Sequence, residues 1–249
     1  MSESKVSIIV PVHNAAKCIE DTIQSIRSQT VQDWELILVD DCSTDCSAEI
    51  MERYECDNIR IIRLNQGVGA AGARNKGLHA AKARYIAYID ADDLWSPDKL
   101  ERQLAFMAEK ECAFSFTGYE FADQNGVGVE KIVHVPAKMS YRAALKNTTI
   151  FTSTVMFDTE KIQKNLLTMP NVASEDTATW WKILKRGYFA YGLDEALTLY
   201  RRSSETLSAN KLTAIKRVWN LYRNVEKLSV IRSAYCFCFY AVRAVIRRL

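Results

Sequence analysis

The sequence predicts an α/β fold, a mostly parallel sheet covered by helices, and three observations carry that expectation. Short apolar runs alternate with helix-period segments through the first half of the chain. Polar or acidic residues punctuate the carboxyl ends of the predicted strands, where such sheets bind ligands. The composition suits a sizeable core: 48% of the 249 residues are hydrophobic and 25% charged, which excludes bulk disorder.

In chain order, Val6-Ser-Ile-Ile-Val10 reads as a buried strand stopped by Pro11. Residues 16–29 have helical spacing through Ile19, Ile23 and Ile26. Glu35-Leu-Ile-Leu-Val39 is a second strand that ends in Asp40-Asp41, and Ser43 or Thr44 is suited to cap the next helix. Residues 59–64 read as a third strand and 70–81 as a third helix. Tyr85-Ile-Ala-Tyr-Ile89 is a fourth strand, and it runs into Asp90-Ala91-Asp92-Asp93. Pro97 then opens a helix in its first turn. Strands follow at 112–118, 127–135 and 150–157, with a hairpin turn at Asn125-Gly126, and helix returns at 175–185.

Several classes are set aside at this level. The formal net charge of +3 gives no footprint for nucleic acid. Seven cysteines without a CxxC pair, beside three histidines, argue for packed, reduced thiols over a zinc cluster or disulfide framework. The N-terminus lacks a basic region ahead of its short apolar run, and no apolar stretch reaches the roughly 18 to 20 residues of a membrane span. A cytoplasmic location is expected.

Two motifs compete to define the chemistry. Asp90, Asp92 and Asp93 offer carboxylates at a strand end, as a hard cation such as Mg²⁺ or Mn²⁺ requires when phosphate and water complete its shell. Alone, the cluster reads equally as a solvated turn. Gly67-Val-Gly-Ala-Ala-Gly72 matches GxGxxG ahead of a helix, which would make Asp90 a ribose ligand in an NAD-dependent oxidoreductase. That alternative leaves the two further acids and Asp40-Asp41 without a role. A non-catalytic binding module leaves the clustering at strand ends unexplained.

The segments Val6-Ser-Ile-Ile-Val-Pro-Val-His-Asn14, Ile23-Gln-Ser-Ile-Arg-Ser-Gln-Thr30 and Trp34-Glu-Leu-Ile-Leu-Val-Asp-Asp-Cys-Ser-Thr-Asp45 resemble family 2 of the inverting glycosyltransferases. So do Gly72-Ala-Arg-Asn-Lys-Gly77 and the segment from Tyr85 to Leu100. The closest flavour is that of teichuronic-acid and capsular polysaccharide enzymes. The resemblance implies a GT-A, Rossmann-like fold over residues 1–207, with a nucleotide-binding half at 1–95, an acceptor half at 96–207 and a helical extension at 208–249. It implies a UDP-sugar donor and a glycan or lipid-linked acceptor.

By the same resemblance, Pro11 and His13 lie beside the base, Asp40 and Asp41 near uracil and ribose, and Arg74 near phosphate or the acids of the site. Asp92, with Asp90, matches the family's metal ligands, and Asp93 supports them. Asp176 matches the general base, with Glu175 as fallback; without the resemblance, both read as ordinary first-turn acids of a helix. Trp180 and Trp181 follow one turn later, one of them as a stacking platform for the acceptor sugar. Arg201 or Arg202 is expected to reach the diphosphate when a loop closes, with Arg202 preferred. No Gln-x-x-Arg-Trp segment is present, which favours single addition over polymerisation. In the extension, an apolar, aromatic segment at 234–242 with nearby arginines suits either the membrane surface or packing on protein.

Overall fold

The computed structural model of the protein describes residues 5–147, 149–201 and 211–246. Its first half runs β1 (Val6–Val12), α1 (Ile19–Arg27), β2 (Trp34–Asp40), α2 (Ser47–Glu52), β3 (Ile59–Arg63), α3 (Gly69–Ala80) and β4 (Tyr85–Tyr88). β1 pairs in parallel with β2 and β4, and β3 extends from β2, giving the order β3-β2-β1-β4. Parallel strands need crossovers, and the crossover helices cover both faces, so the strands are apolar on both. Ile8 and Val10 pack with Ile19, Ile23 and Ile26 of α1. Ile9, Ile37 and Val39 point the other way, to Ala73 and Leu78 of α3. The approach of α3 depends on Gly77, where a Cβ would stand 2.4 Å from Cγ2 of Ile9.

Pro11 does not stop the first strand. β1 continues to Val12, paired with Asp40 of β2. The β4 ladder has already ended at Ile9 against Tyr88, so a residue without an N–H is tolerated there. Neither Ser43 nor Thr44 caps α2. The Ser43 hydroxyl instead accepts from the Asn14 N–H, and Asp45 accepts the N–H of Ser47 at 3.0 Å.

The second half runs β5 (Leu94–Trp95), α4 (Lys99–Glu109), β6 (Phe114–Ala122), β7 (Gly128–Val133), β8 (Lys138–Met139), α5 (Tyr141–Ala144), β9 (Met156–Asp158), α6 (Glu175–Lys185) and β10 (Ala190–Arg201). β9 lies antiparallel between β4 and β6 and joins the halves into one sheet. β6 and β10 are parallel, whereas β5, β7 and β8 pair antiparallel. The parallel pattern therefore holds in the first half and becomes mixed in the second. Pro97 precedes α4 rather than entering its first turn, and its carbonyl accepts from the Thr30 N–H at 2.8 Å. The Asn125-Gly126 turn joins β6 to β7, with Gly126 at φ +80°.

The strand expected over 150–157 is only Met156–Asp158. Thr152–Thr154 forms a 3-10 turn, because its hydroxyls bond elsewhere: Thr154 to the Phe151 carbonyl, Ser153 to Asp93 and Thr152 to Asp176.

The extension contains α7 (Lys211–Asn220), a π-helical turn at Leu221–Val225 and α8 (Val230–Ile246). It is stapled to the body. The Trp181 and Tyr222 rings stack at 5.3 Å, and the Tyr222 hydroxyl donates to the Leu145 carbonyl. Leu221 and Tyr222 are fully buried in the same core cluster as Trp181.

Candidate active site

The loop after β4 is held from three sides. From α1, the Thr22 hydroxyl contacts the carbonyls of Ala91 and Asp93 at 2.8 and 2.9 Å. From the 3-10 turn, Ser153 accepts the Asp90 N–H and donates to the Asp93 carboxylate. From β10, the Arg201 N–H donates to the other oxygen of Asp93 at 3.2 Å. Asp93 is fully buried, so its role is to shape the loop. Burial, then the charges of Asp92 and Asp90, push its pKa well up. Asp92 lies on the cleft wall. Burial and the neighbouring Asp90 raise its carboxyl from 3.8 to about 6, with Arg201 pulling the other way.

Arg74, from α3, sits behind this loop and is 6% exposed. Its guanidinium donates to Asp90 at 2.6 Å and to Glu175 at 2.7 Å. Burial opposes its charge, but Asp90, Glu175 and Asp176 outweigh burial and raise its pKa. Arg74 thus ties the loop after β4 to the start of α6. Asp176 is directed differently. One of its oxygens accepts from the Thr152 hydroxyl at 3.1 Å and the other from the Thr177 N–H at 2.6 Å.

The far wall comes from the end of β1. The Asn14 Oδ1 accepts the Thr44 N–H at 2.8 Å, which leaves Asn14 Nδ2 as a donor toward His13 Nε2 at 3.3 Å. His13 Nδ1 lies 2.8 Å from the Asp41 carbonyl, an acceptor, so Nδ1 donates to it. The Asp41 carboxylate accepts the N–H groups of Val68 and Gly69 at 2.7 and 2.8 Å. These donors open α3 within the GxGxxG segment. A side chain has therefore taken the amides that a dinucleotide's pyrophosphate needs.

Pro11, His13, Asp41, Arg74, Asp90, Asp92, Glu175 and Asp176 all line one cleft of ≈ 520 Å³. Asp40 does not line it; this carboxylate is buried and accepts the Ser43 N–H at 3.2 Å. Trp180 and Trp181 are corrected outright. They are 2% and 1% exposed, Trp180 within the Tyr88, Phe114 and Phe157 cluster and Trp181 against Tyr222, so neither is an acceptor platform. The apolar face of α6 claims both indoles. Arg202 lies outside the described residues. Arg201 turns its guanidinium to Asp21 at 3.0 Å.

The cleft also contains residues that the sequence reading missed. Thr152 stands in a run of three hydroxyl residues that interrupts an apolar strand pattern, a usable signal for a polar task. Arg217 reaches the cleft from α7. It belongs to the segment read as lying outside the catalytic domain, and no local pattern marks it.

The donor set suits a hard cation. The cleft presents the Asp90 and Asp92 carboxylates side by side at a strand end, the oxygen donors a hard cation takes. Among the described residues there is no group of three or more His, Cys, Asp and Glu side chains placed to hold a metal. The residues present fit an ion that takes one or two protein oxygens and completes its shell from phosphate and water.

The topology and the cleft at the strand ends define a GT-A glycosyltransferase fold. Two solved structures share it. TarS of S. aureus, solved with UDP-GlcNAc, superposes with a TM-score of 0.70 at 22% identity, over 95% of this chain and 70% of that one. The mannosyltransferase PcManGT of Pyrobaculum calidifontis, solved with GDP-Man and Mn²⁺, gives 0.71 at 20% identity, over 90% and 65%. The profile of Glycosyl transferase family 2 matches residues 7–163, and the chain belongs to that family. It is 46% identical to TuaG of Bacillus subtilis (strain 168), over 98% of this chain and 97% of the relative, whose name assigns it to teichuronic acid biosynthesis. It is 33% identical, over 97% and 94%, to WfaP of Escherichia coli, named as a UDP-Glc:alpha-D-GlcNAc-diphosphoundecaprenol beta-1,3-glucosyltransferase.

Proposed function

We propose that this glycosyltransferase moves a sugar from a UDP-sugar to a hydroxyl of a glycan or lipid-linked glycan in cell-surface polysaccharide synthesis, with inversion and one sugar per encounter. The observation that carries this reading is the meeting of Asp92 and Asp176, from opposite halves of the fold, on the walls of one cleft. The similarity to TuaG and WfaP supports the polysaccharide setting and the donor class.

Pro11, His13 and Asp41 bound the nucleoside end, with Asp40 acting from behind through the loop it holds. Asp92, with Asp90, is the place for Mn²⁺ or Mg²⁺, which when bound neutralises charge on the departing diphosphate. Asp176 is the general base. Thr152 and the Thr177 N–H hold its carboxylate toward the cleft, and Glu175 is occupied by Arg74. As the acceptor oxygen bonds to the anomeric carbon, its proton passes to Asp176, and the bond from that carbon to the diphosphate oxygen breaks on the opposite face. A single displacement of this kind inverts the centre.

Titration calorimetry of UDP, GDP and NAD, each with and without Mn²⁺, tests the donor. Metal-dependent UDP binding is expected, and tight NAD binding without it overturns the reading. Asp176→Asn should bind UDP normally while losing about 10²- to 10⁴-fold in kcat. Full activity in that variant removes the base assignment alone.

A further inference from the structure

The positive charge of this chain is concentrated in its tail. Residues 211–249 hold nine Lys and Arg against one acid, Glu226, in a chain of net charge +3. Glu226 is already engaged, by Lys185 Nζ at 2.8 Å and by the Tyr141 hydroxyl. α8 contains no acid.

One side of α8 is packed, with Ser233 and Cys236 0% and 3% exposed. Another side carries Ile231, Tyr235, Phe239 and Val242, which are 84%, 52%, 41% and 59% exposed. Their spacing of four, four and three places them along one stripe of the helix. Cations border that stripe. Lys146 Nζ lies 4.5 and 4.9 Å from the Tyr235 and Phe239 ring centroids, and Arg243 donates to the Lys146 carbonyl at 3.1 Å. No helix among the described residues is long and apolar enough to cross a bilayer.

An apolar stripe edged with basic residues, on a helix too short to span, matches the physics of a helix lying in a membrane interface. A second copy is the poorer occupant, because a face-to-face contact would bring two basic tails together. We propose that α8 docks on an anionic lipid bilayer, with Ile231, Tyr235, Phe239 and Val242 entering the headgroup and acyl boundary and Lys146 and Arg243 facing lipid phosphates. α7 of the same tail contributes Arg217 to the cleft wall, so the docking helix and the cleft share one segment of chain. The benefit for a lipid-linked acceptor rests on the proposed function; the docking itself does not.

The test is co-sedimentation of the full chain with phosphatidylglycerol-containing vesicles and with phosphatidylcholine vesicles. Binding to the anionic vesicles should be at least about tenfold tighter and should weaken in 1 M salt. Ile231→Asp with Val242→Asp changes only exposed positions and should lower binding at least about tenfold, with an unchanged melting temperature. Arg243→Glu should weaken it by a smaller factor. Equal binding by the double variant, or no binding by the natural chain, overturns the proposal. So does a dimer in sedimentation velocity that the double variant dissociates while vesicles remain unbound. Calorimetry of UDP with Mn²⁺ on the same proteins separates the two readings. Vesicle binding without UDP binding keeps the docking and sinks the donor assignment, and the reverse result does the opposite.

Discussion

Replacing Asp92 with Asn tests the charge balance of the cleft through stability rather than turnover. The carboxyl of Asp92 is raised from 3.8 to about 6, first by burial and then by Asp90, with Arg201 in opposition. Asp93 and Cys18 are its other titratable neighbours. An acid whose folded pKa exceeds its unfolded value contributes stability that is fully present below about pH 4 and lost as pH rises through about 6. Two units correspond to about 3 kcal/mol. Water in the open cleft screens part of this, leaving about 1–3 kcal/mol. For a chain of this length each kcal/mol moves Tm by about 2 °C. Asp92→Asn should therefore melt about 2–6 °C higher than the natural protein at about pH 7.5 in EDTA, and the difference should vanish near pH 4. Melts followed by circular dichroism across that range provide the assay. With Mn²⁺ and UDP the order should reverse, because only the natural protein gains from the ion. A difference independent of pH, or a variant less stable at pH 7.5 in EDTA, would refute the electrostatic account of the loop.

Arg74→Met leaves Asp90 and Glu175 without their shared cation; breaking a buried ion pair costs about 3–5 kcal/mol, so Tm should fall by about 6–10 °C in thermal melts. Trp180→Ala should destabilise by about 3–5 kcal/mol in urea unfolding and leave the KM for acceptor unchanged, since the indole is core. Thr152→Val should lower kcat about tenfold with donor KM unchanged, and Thr152→Ser should restore it, because the hydroxyl holds Asp176.

The elements that were legible in the sequence are those whose signal is local. The parallel strands of the first half announce themselves as apolar runs because both faces are covered, and the acidic loop stands at a strand end because topology leaves ligands that edge. The second half is less legible because its strands owe their positions to partners far away in sequence. β9 has three residues and pairs with β4 and β6, more than 30 positions distant. The indoles of Trp180 and Trp181 were misplaced for a related reason. One turn after a candidate base, an aromatic is equally suited to sugar stacking or to core, and only the packing of Phe114, Phe157 and Tyr222 decides.

The acids show how one short motif divides its work. Asp90 pairs with Arg74, Asp93 is sealed behind Ser153 and the Arg201 amide, and Asp92 lies on the cleft wall, its carboxyl raised by burial and by Asp90. On the proposed function, a cation at this loop would find the Asp92 carboxylate on the cleft wall, with Asp90 beside it already shared with Arg74. The same Arg74 engages Glu175, while Asp176 accepts from the Thr152 hydroxyl. One buried guanidinium thus ties the loop after β4 to the start of α6, which is why a change at Arg74 should register in stability and, on the proposed function, in donor binding and turnover together.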